Sequence, residues 1–325
     1  MKIIEQKELG TPADVLTLKE LPAQNPGAGE VKVKVLAAPI HPANLLQIAG
    51  QYATAPDLPS VPGGEGIGQV VALGEGVSHL QVGQHVFLAG VGGTWRDELI
   101  APAASLIPAP PGDVEQLSML AVNPLTAHLM LTQFADLNEG DWIIQSAANS
   151  AVGEMVIQLA ALRGIKTVNV VRRESLLEDM KTLGGTVALV DGPDLVKDVA
   201  EATGGAPIKL AFDCVAGQTF ERLAETLGYG GSIVSYGNLS GHLPQTNLMN
   251  LITKDVRMRG FWLAKWYETA SAEDKQAALG TMVPLIASGQ IKTKVDSRFS
   301  LEDIASAVTR AAASGREGKV LLMPR

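Results

Sequence analysis

Small side chains connect two apolar runs at residues 145–153, which read Gln-Ser-Ala-Ala-Asn-Ser-Ala-Val-Gly. A turn of this kind between a strand and a helix leaves the backbone N–H groups at the helix start open to an anion. In the frame G-x-G-x-x-G only the last glycine, Gly153, is present, and it is the one that lets helix and strand pack closely. Taken alone, the stretch is equally typical of an ordinary turn in another α/β protein.

Two arginines, Arg172 and Arg173, end the next predicted strand, roughly 20 residues after the turn. An acidic residue there would accept hydrogen bonds from an adenosine ribose and would repel a 2′-phosphate. Guanidinium groups instead donate to such a phosphate, often through two hydrogen bonds at once. The turn and the arginine pair together predict a dinucleotide site for NADP(H), with a solvated surface pair as the alternative.

The elements around this turn alternate in a regular order from Asp141 onwards. Helices are predicted between the strands, as at 152–163 and 220–227, which indicates a doubly wound parallel sheet. The six predicted strands are 142–145, 167–171, 187–190, 210–213, 232–236 and 256–263.

The two ends of the chain follow other patterns. Residues 1–120 are rich in Gly and Pro and carry short alternating runs at 31–35, 68–73 and 85–88, typical of a β-rich domain. Residues 116–135 are predicted to be helical, with an interruption at Pro124. The tail has helices at 272–288 and 301–313 and strands at 295–299 and 319–323. Because the tail does not continue the central alternation, we expect it to return to the first domain.

Composition limits the classes of function. The chain has 325 residues, 46% of them hydrophobic, and a formal net charge of −8, which argues against a nucleic-acid or anionic-membrane partner. A single cysteine, Cys214, excludes a disulfide framework within one chain, and its apolar run predicts a buried small side chain. No apolar run is long enough to span a membrane, and the first residues resemble no targeting peptide. A cytoplasmic protein is predicted.

Six segments carry a resemblance to a known family. Over its whole length the sequence resembles the medium-chain dehydrogenases/reductases, in particular the zinc-free 2-enoyl thioester reductases and more distantly the quinone oxidoreductases. The resemblance implies a GroES-like catalytic domain at 1–122 and 271–325, an NADP-binding Rossmann domain at 123–270, and a homodimer that pairs the edge strands at 256–263. The segments are 47–52, 123–127, 148–153, 169–173, 236–238 and 259–263 with Trp266.

Zinc is not expected. Alcohol dehydrogenases of this superfamily hold a catalytic zinc with Cys, His and Cys, and the matching positions here are His41, Gly64 and Asn123. Glycine has no side-chain ligand atom and asparagine is a poor zinc ligand, so His41 is predicted to be packed or hydrogen-bonded. Without zinc, hydride addition to a C=C bond conjugated with a carbonyl is less demanding than ketone reduction, because the charge delocalises into an enolate.

Tyr52 is the predicted proton donor for that reaction. A tyrosine is protonated at neutral pH, and Tyr52 precedes a proline-punctuated loop and matches the catalytic tyrosine that the resemblance implies. Asn44 is predicted to assist in orientation, whereas Glu65, in a glycine-rich turn, is predicted to be structural.

The resemblance also assigns cofactor contacts. Asn123 and Thr126 are placed near the nicotinamide, residues 261–263 line its pocket, and Lys319 is a further contact. The full set predicted for NADP(H) is Asn123, Thr126, Asn149, Ser150, Ala151, Val152, Gly153, Arg172, Arg173, Tyr236, Gly237, Asn238, Phe261, Trp262, Leu263 and Lys319.

Three functions remain open from the sequence. The first is NADPH-dependent reduction of a trans-2-enoyl thioester, with hydride transfer to Cβ and a proton from Tyr52 to Cα. The second is a zinc-free NADPH quinone or alkenal reductase, and the third is an NADPH-binding protein without catalysis. Acyl chain length and the choice between coenzyme A and acyl carrier protein stay open.

Overall fold

The computed structural model describes residues 1–324, which form two compact units, residues 1–122 with 283–324 and Asn123–Met282. The sequence-based boundary lies after residue 270, whereas the contacts divide the chain at residue 283, inside a helix at Ala272–Ala287. Within residues 1–324 no helix is both long and apolar enough to cross a membrane.

The N-terminal segment of the first unit is mostly strand. Its helices are short: α1 (Pro12–Val15), α2 (Pro42–Ile48) and α3 (Val114–Ser118). Its strands are β1 (Lys2–Gln6), β2 (Leu16–Glu20), β3 (Glu30–Pro39), β4 (Ile67–Leu73), β5 (His85–Phe87), β6 (Glu98–Pro102) and β7 (Ile107–Pro108).

The second unit alternates strands and helices. Its strands are β8 (Trp142–Gln145), β9 (Lys166–Val171), β10 (Val187–Val190), β11 (Ile208–Asp213), β12 (Leu227–Ser235) and β13 (Arg257–Gly260). Its helices are α4 (Asn123–Gln133), α5 (Ala151–Leu162), α6 (Leu177–Thr182), α7 (Leu195–Thr203), α8 (Gly217–Thr226), α9 (Leu248–Lys254), α10 (Leu263–Thr269) and most of α11 (Ala272–Ala287).

The chain then contributes β14 (Val295–Phe299), α12 (Ile304–Ala312) and β15 (Lys319–Leu322) to the first unit. Strand β15 lies parallel to β14 and antiparallel to β3 in a seven-stranded sheet of order β14-β15-β3-β4-β5-β7, to which β6 adds by pairing with β3. Alternate residues of β3, namely Val31, Val33 and Val35, are fully buried and belong to this unit's hydrophobic core.

The predicted α/β fold class is confirmed by the sheet of the second unit. Its six strands are all parallel, in the order β10-β9-β8-β11-β12-β13. The central strands are apolar on both faces, as a parallel sheet covered by helices requires. Ile143, Ile144, Leu210 and Phe212, for example, are completely buried. The carboxyl ends of all six strands lie along one edge of this sheet.

Two predicted elements are corrected by the structure. The strand predicted at 256–263 ends at Gly260, and Leu263 begins helix α10 instead, because a short apolar run does not by itself distinguish strand from helix. The helical stretch predicted at 116–135 is two helices, α3 and α4. Pro124 lies in the first turn of α4, where a missing N–H costs no intrahelical hydrogen bond.

Candidate active site

The turn after β8 ends at a capped helix start. The Ser150 hydroxyl accepts a hydrogen bond from the Gly153 N–H at 3.1 Å, and the Ser150 N–H donates to the Ala147 carbonyl at 2.8 Å. The first N–H groups of a helix have no intrahelical acceptor, so those of Ala151 and Val152 stay open at the start of α5. This open end, with its positive helix dipole, suits a pyrophosphate.

Gly153 is required by close packing. A Cβ atom at this position would lie 2.5 Å from the Ala148 carbonyl oxygen, a distance that real Cβ atoms do not show. The single glycine that survives from the dinucleotide pattern is therefore the one that lets the first turn of α5 pack against the preceding turn.

A buried amide network fixes the turn relative to the neighbouring strand. The Gln145 side-chain amide donates to the Gly153 carbonyl at 3.0 Å and to Asn169 Oδ1 at 2.8 Å. Asn169 Nδ2 then donates to the Val187 carbonyl at 3.0 Å, which extends the network from β8 through β9 to β10. Because both amides are fully buried, this network holds the ends of β8 and β9 in register.

Arg172 and Arg173 follow β9 directly and are both exposed. Within residues 1–324 neither guanidinium forms an ion pair. Since β9 is parallel to β8, the pair lies at the same sheet edge as the open start of α5. The two cations are thus available to an anionic group of a ligand that occupies this edge.

A buried carboxylate, Asp213, ends β11 beside β8, where the strand order reverses direction. Its Oδ1 accepts from the Ser146 hydroxyl at 2.6 Å and from the Val215 N–H at 3.1 Å, and its Oδ2 accepts from the Ala216 N–H at 2.8 Å. Burial raises the pKa of Asp213. Asp213 is not among the site residues predicted from the sequence, although an acid that ends an apolar strand at the switch point of a doubly wound sheet is a usable signal.

Residues 236–238 follow β12, and hydrogen bonds from Tyr236 and from Leu239 join this segment to the end of β11. The Tyr236 N–H donates to the Asp213 carbonyl at 2.9 Å, and the Leu239 N–H donates to the Cys214 carbonyl at 2.8 Å. Burial raises the pKa of the Cys214 thiol to about 12 and that of the buried Tyr236 hydroxyl well above its ordinary value. Cys214 is buried, as predicted, and we expect its thiol to react slowly.

Phe261 packs within the second unit. Its N–H donates to the Ser235 carbonyl at 2.9 Å, and its ring meets Phe134 edge-on, with centroids 5.9 Å apart. Phe261 and Leu263 join an apolar cluster with Leu125 and Leu129 of α4, whereas Trp262 is 39% exposed.

Asn123 and Thr126 are both buried on α4, which packs against α5. Within the described residues the Asn123 Nδ2 group is buried without an acceptor. A buried donor without a partner costs about 1–3 kcal/mol, and a bound ligand can supply the missing acceptor. Together with the open end of α5 and the exposed arginine pair, this group fits a bound dinucleotide.

In the first unit, hydrogen bonds fix both ends of α2, the helix that leads to Tyr52. At its start the Asn44 side-chain oxygen accepts the His41 N–H at 2.9 Å. At its end the Ile48 carbonyl accepts from the Gln6 side chain at 3.0 Å and from the Gly10 N–H at 3.1 Å. Tyr52 lies half-buried four residues later, on a bend.

His41 lies between two buried charged side chains. The Lys319 ammonium contacts His41 Nδ1 at 2.8 Å, and His41 Nε2 contacts Glu65 Oε1 at 2.5 Å. The three residues are 4%, 6% and 2% exposed, respectively. Lys319 is therefore a buried group with a defined partner, and His41 is hydrogen-bonded as predicted.

Comparisons with known proteins agree with this architecture. Residues 27–111 match the alcohol dehydrogenase GroES-like domain, and residues 151–278 match the zinc-binding dehydrogenase family. The chain is 37% identical over 306 residues to the mitochondrial enoyl-[acyl-carrier-protein] reductase of Rattus norvegicus, covering 92% of this chain and 82% of that protein. The chain belongs to the medium-chain dehydrogenase/reductase family, in the branch of these enoyl reductases.

Two solved structures resemble this family member over nearly their whole length. A putative NADPH:quinone reductase from Bacillus thuringiensis has a TM-score of 0.90 at 29% identity, covering 99% of this chain and 98% of that chain. The Etr1p/NADP/crotonyl-CoA complex has a TM-score of 0.89 at 26% identity, covering 99% of each chain. The predicted family is thereby confirmed, and the chain is an oxidoreductase of that family.

The residues of this medium-chain reductase do not fit the zinc in the name of one matching family. Both ring nitrogens of His41 are engaged by Glu65 and Lys319, and Gly64 has no ligand atom in its side chain. Within residues 1–324 no three His, Cys, Asp or Glu side chains lie close enough together to hold a metal ion.

Most of the predicted cofactor residues share the sheet edge of the second unit. Residues 149–153, 172–173, 236–238 and 261 follow the carboxyl ends of β8, β9, β12 and β13. Asn123, Thr126, Trp262 and Leu263 belong to the same unit, whereas Asn44, Tyr52 and Lys319 belong to the first unit. The roles of all these residues stay predictions.

Proposed function

We propose that the protein reduces the C=C bond of a trans-2-enoyl thioester with NADPH. The observation that carries this proposal is the likeness of nearly the whole chain to an enoyl-[acyl-carrier-protein] reductase. The exposed arginine pair after β9 and the open start of α5 support it, because both suit a phosphorylated dinucleotide.

NADPH supplies the hydride when it is bound. In this proposal residues 149–153 bind its pyrophosphate, and Arg172 and Arg173 bind its 2′-phosphate. Asn123 and Thr126 lie near the nicotinamide, and residues 236–238 and 261–263 complete its surroundings with backbone groups. Lys319 contacts an anionic group of the same cofactor.

Tyr52 is the proposed catalytic acid. Hydride addition at Cβ leaves an enolate, whose Cα must then gain a proton. The phenol of Tyr52 donates that proton, and Asn44 helps to orient the substrate from the start of the same helix. The fixed ends of α2 support this role, since a general acid must be held within hydrogen-bond reach of the reacting atom.

A quinone or alkenal reductase is the second candidate, favoured by the likeness to a putative NADPH:quinone reductase. The two candidate functions are distinguished by following NADPH oxidation at 340 nm with crotonyl-CoA, a longer trans-2-enoyl-CoA and a simple quinone. The same assays are run with NADH in parallel. Rapid turnover of the enoyl thioesters with a preference for NADPH is expected. Turnover of the quinone alone would move the assignment to the second candidate, and binding without any turnover would overturn both.

We also propose that the protein is a homodimer that pairs its β13 strands. Residues 257–260 form an exposed edge of the second unit's sheet, and an uncovered edge invites pairing with another strand. Met258 on this edge is 37% exposed, and Ile252 on the neighbouring α9 is 73% exposed. Light scattering after gel filtration tests the assembly, and Met258→Pro is expected to yield monomers.

The predicted cytoplasmic location is tested separately by cell fractionation.

A further inference from the structure

Three buried polar residues from distant segments meet in the first unit. His41 precedes α2, Glu65 lies in the turn before β4, and Lys319 is the first residue of β15. The Lys319 Nζ–His41 Nδ1 and His41 Nε2–Glu65 Oε1 distances of 2.8 and 2.5 Å join them into one chain of hydrogen bonds. The proposed reaction leaves Glu65 and His41 without a function, although burying a carboxylate is costly.

The direction of these hydrogen bonds follows from chemistry. A lysine ammonium has only donors, so His41 Nδ1 must accept and His41 Nε2 must carry the proton that it donates to Glu65. The imidazole is therefore neutral, which agrees with the lowering of its pKa by burial. Glu65 is thus the counter-ion of Lys319, acting across the ring.

A second buried cation lies close to this chain of hydrogen bonds. Arg316 is the other charged group that faces both His41 and Lys319, and it lowers the pKa of each. Its Nε is buried without an acceptor in the described residues. Burial lowers the pKa of Lys319 to about 7, against the opposing effect of Glu65, so the ammonium stays charged near neutrality only with help from the carboxylate. Asp296 faces Arg316 and raises its pKa against the larger effect of burial, so Glu65 is the carboxylate that balances Lys319.

We propose that Glu65 and His41 are positioning residues that hold the Lys319 ammonium in place, as the contact for a phosphate group of the dinucleotide. This inference rests on the proposed function, in which Lys319 contacts the cofactor. The phosphate is one that NADPH and NADH share, because the arginine pair after β9 accounts for the 2′-phosphate.

Binding measurements test the arrangement without reference to catalysis. Dissociation constants for NADPH and NADH are measured by calorimetry for the wild type, Glu65→Gln, Lys319→Met and the double variant. Glu65→Gln keeps the shape of the side chain but removes its charge. The matched control is Glu302→Gln, which makes the same change at an exposed ion-pair partner of Lys2 in the same unit.

We expect Glu65→Gln to weaken both dinucleotides by about tenfold, and the double variant to bind no more weakly than Lys319→Met. Glu302→Gln is expected to leave both constants unchanged. The proposal is overturned if Glu65→Gln binds within twofold of the wild type, or if the wild type binds neither dinucleotide. It is also overturned if the losses of binding free energy caused by Glu65→Gln and Lys319→Met add up in the double variant.

A pH series distinguishes positioning from simple structural support. NADH is used because it lacks the 2′-phosphate, a group that titrates near pH 6. Its binding should weaken as the pH rises through neutrality and Lys319 loses its proton, and Glu65→Gln should shift this loss to lower pH. An unshifted profile contradicts the proposal. If Glu65→Gln does not fold by circular dichroism, Lys319→Arg replaces it and should bind NADH independently of pH. If dinucleotide binding changes in these variants as expected but the wild type reduces no enoyl thioester, the proposed function is rejected and the positioning role of Glu65 and His41 is kept.

Discussion

The Ser146 hydroxyl donates a 2.6 Å hydrogen bond to the carboxylate of Asp213, and so joins the residue after β8 to the last residue of β11. The same carboxylate accepts two backbone N–H groups from the following turn, where Ala216 has a φ of 65°. Only a well-anchored turn keeps a residue other than glycine in that left-handed region. This bond therefore stabilises the sheet edge at the point where the strand order reverses.

Ser146→Ala is expected to lower the free energy of unfolding by about 1–3 kcal/mol, because it removes a donor from a buried carboxylate. The Ser146 hydrogen bond lowers the pKa of Asp213, so its loss should raise that pKa further. Urea unfolding followed by circular dichroism measures the change. Ser175→Ala, at an exposed position in the same unit, is the control, and equal stability of the two variants would contradict the prediction.

Arg172→Ala should weaken NADPH binding by about tenfold or more and leave NADH binding unchanged, since only NADPH carries the 2′-phosphate that a charge-assisted hydrogen bond would recognise. Calorimetric titration with each dinucleotide checks this. Lys181→Ala removes an exposed charge from α6 of the same unit and should change neither constant. If NADPH and NADH lose affinity equally, Arg172 binds the pyrophosphate that both carry and not the 2′-phosphate.

Tyr52→Phe should reduce kcat for crotonyl-CoA by at least about 100-fold, the usual contribution of a general acid. The dissociation constant for NADPH should stay within about twofold, because the hydroxyl is assigned to the substrate. Tyr229→Phe, at a tyrosine that is 83% exposed, is the matched control and should keep full activity. Full activity of the Tyr52 variant would remove this residue from the mechanism.

Gly153→Ala should destabilise the protein by about 1–3 kcal/mol and weaken NADPH binding, because the new methyl group would lie 2.5 Å from the Ala148 carbonyl oxygen. Gly280→Ala is the contrasting change. That glycine lies within α11 with no atom within 4 Å of an added Cβ, so alanine should stabilise the protein by about 0.5–1 kcal/mol. Thermal unfolding of both variants gives the comparison, and effects of the same sign would refute it.

Cys214 should resist iodoacetamide at pH 8 in the folded protein and react fully in urea. Its pKa of about 12 leaves almost no thiolate at that pH, and its side chain is buried. Because the chain has one cysteine, mass spectrometry reads the modification directly. Rapid labelling in the absence of urea would show that the turn after β11 opens under native conditions.

Local patterns were sufficient to predict the parallel sheet of the second unit. Strand β8 and strand β10 have the predicted bounds, and Arg172 follows β9 as the sequence spacing requires. These features depend on alternation along a continuous segment, so they are visible without a structure. The same holds for Gly153, because its place in the dinucleotide pattern already predicts a position without room for a Cβ atom.

Long-range polar contacts could not be predicted in this way. The bond between Lys319 and His41 joins residues 278 positions apart, and no periodicity along the chain indicates it. The glycine-rich segment around Glu65 is typical of a buried turn into a strand and so predicts a structural role, but neighbouring residues do not identify the partner of Glu65. The capping role of the Asn44 oxygen is likewise a tertiary detail, since asparagine at the third position of a helix has several common uses.

The pairing of β15 with β3 has a consequence for how the protein is made. Leu321 and Leu322 lie opposite Pro39 and Ala38, yet residues 123–282 are translated between the two strands. The ribosome therefore delivers the whole second unit while this part of β3 still lacks its neighbour. The second unit can fold during synthesis, but the first can close its sheet, and bring Lys319 to His41, only after nearly all of the chain has emerged.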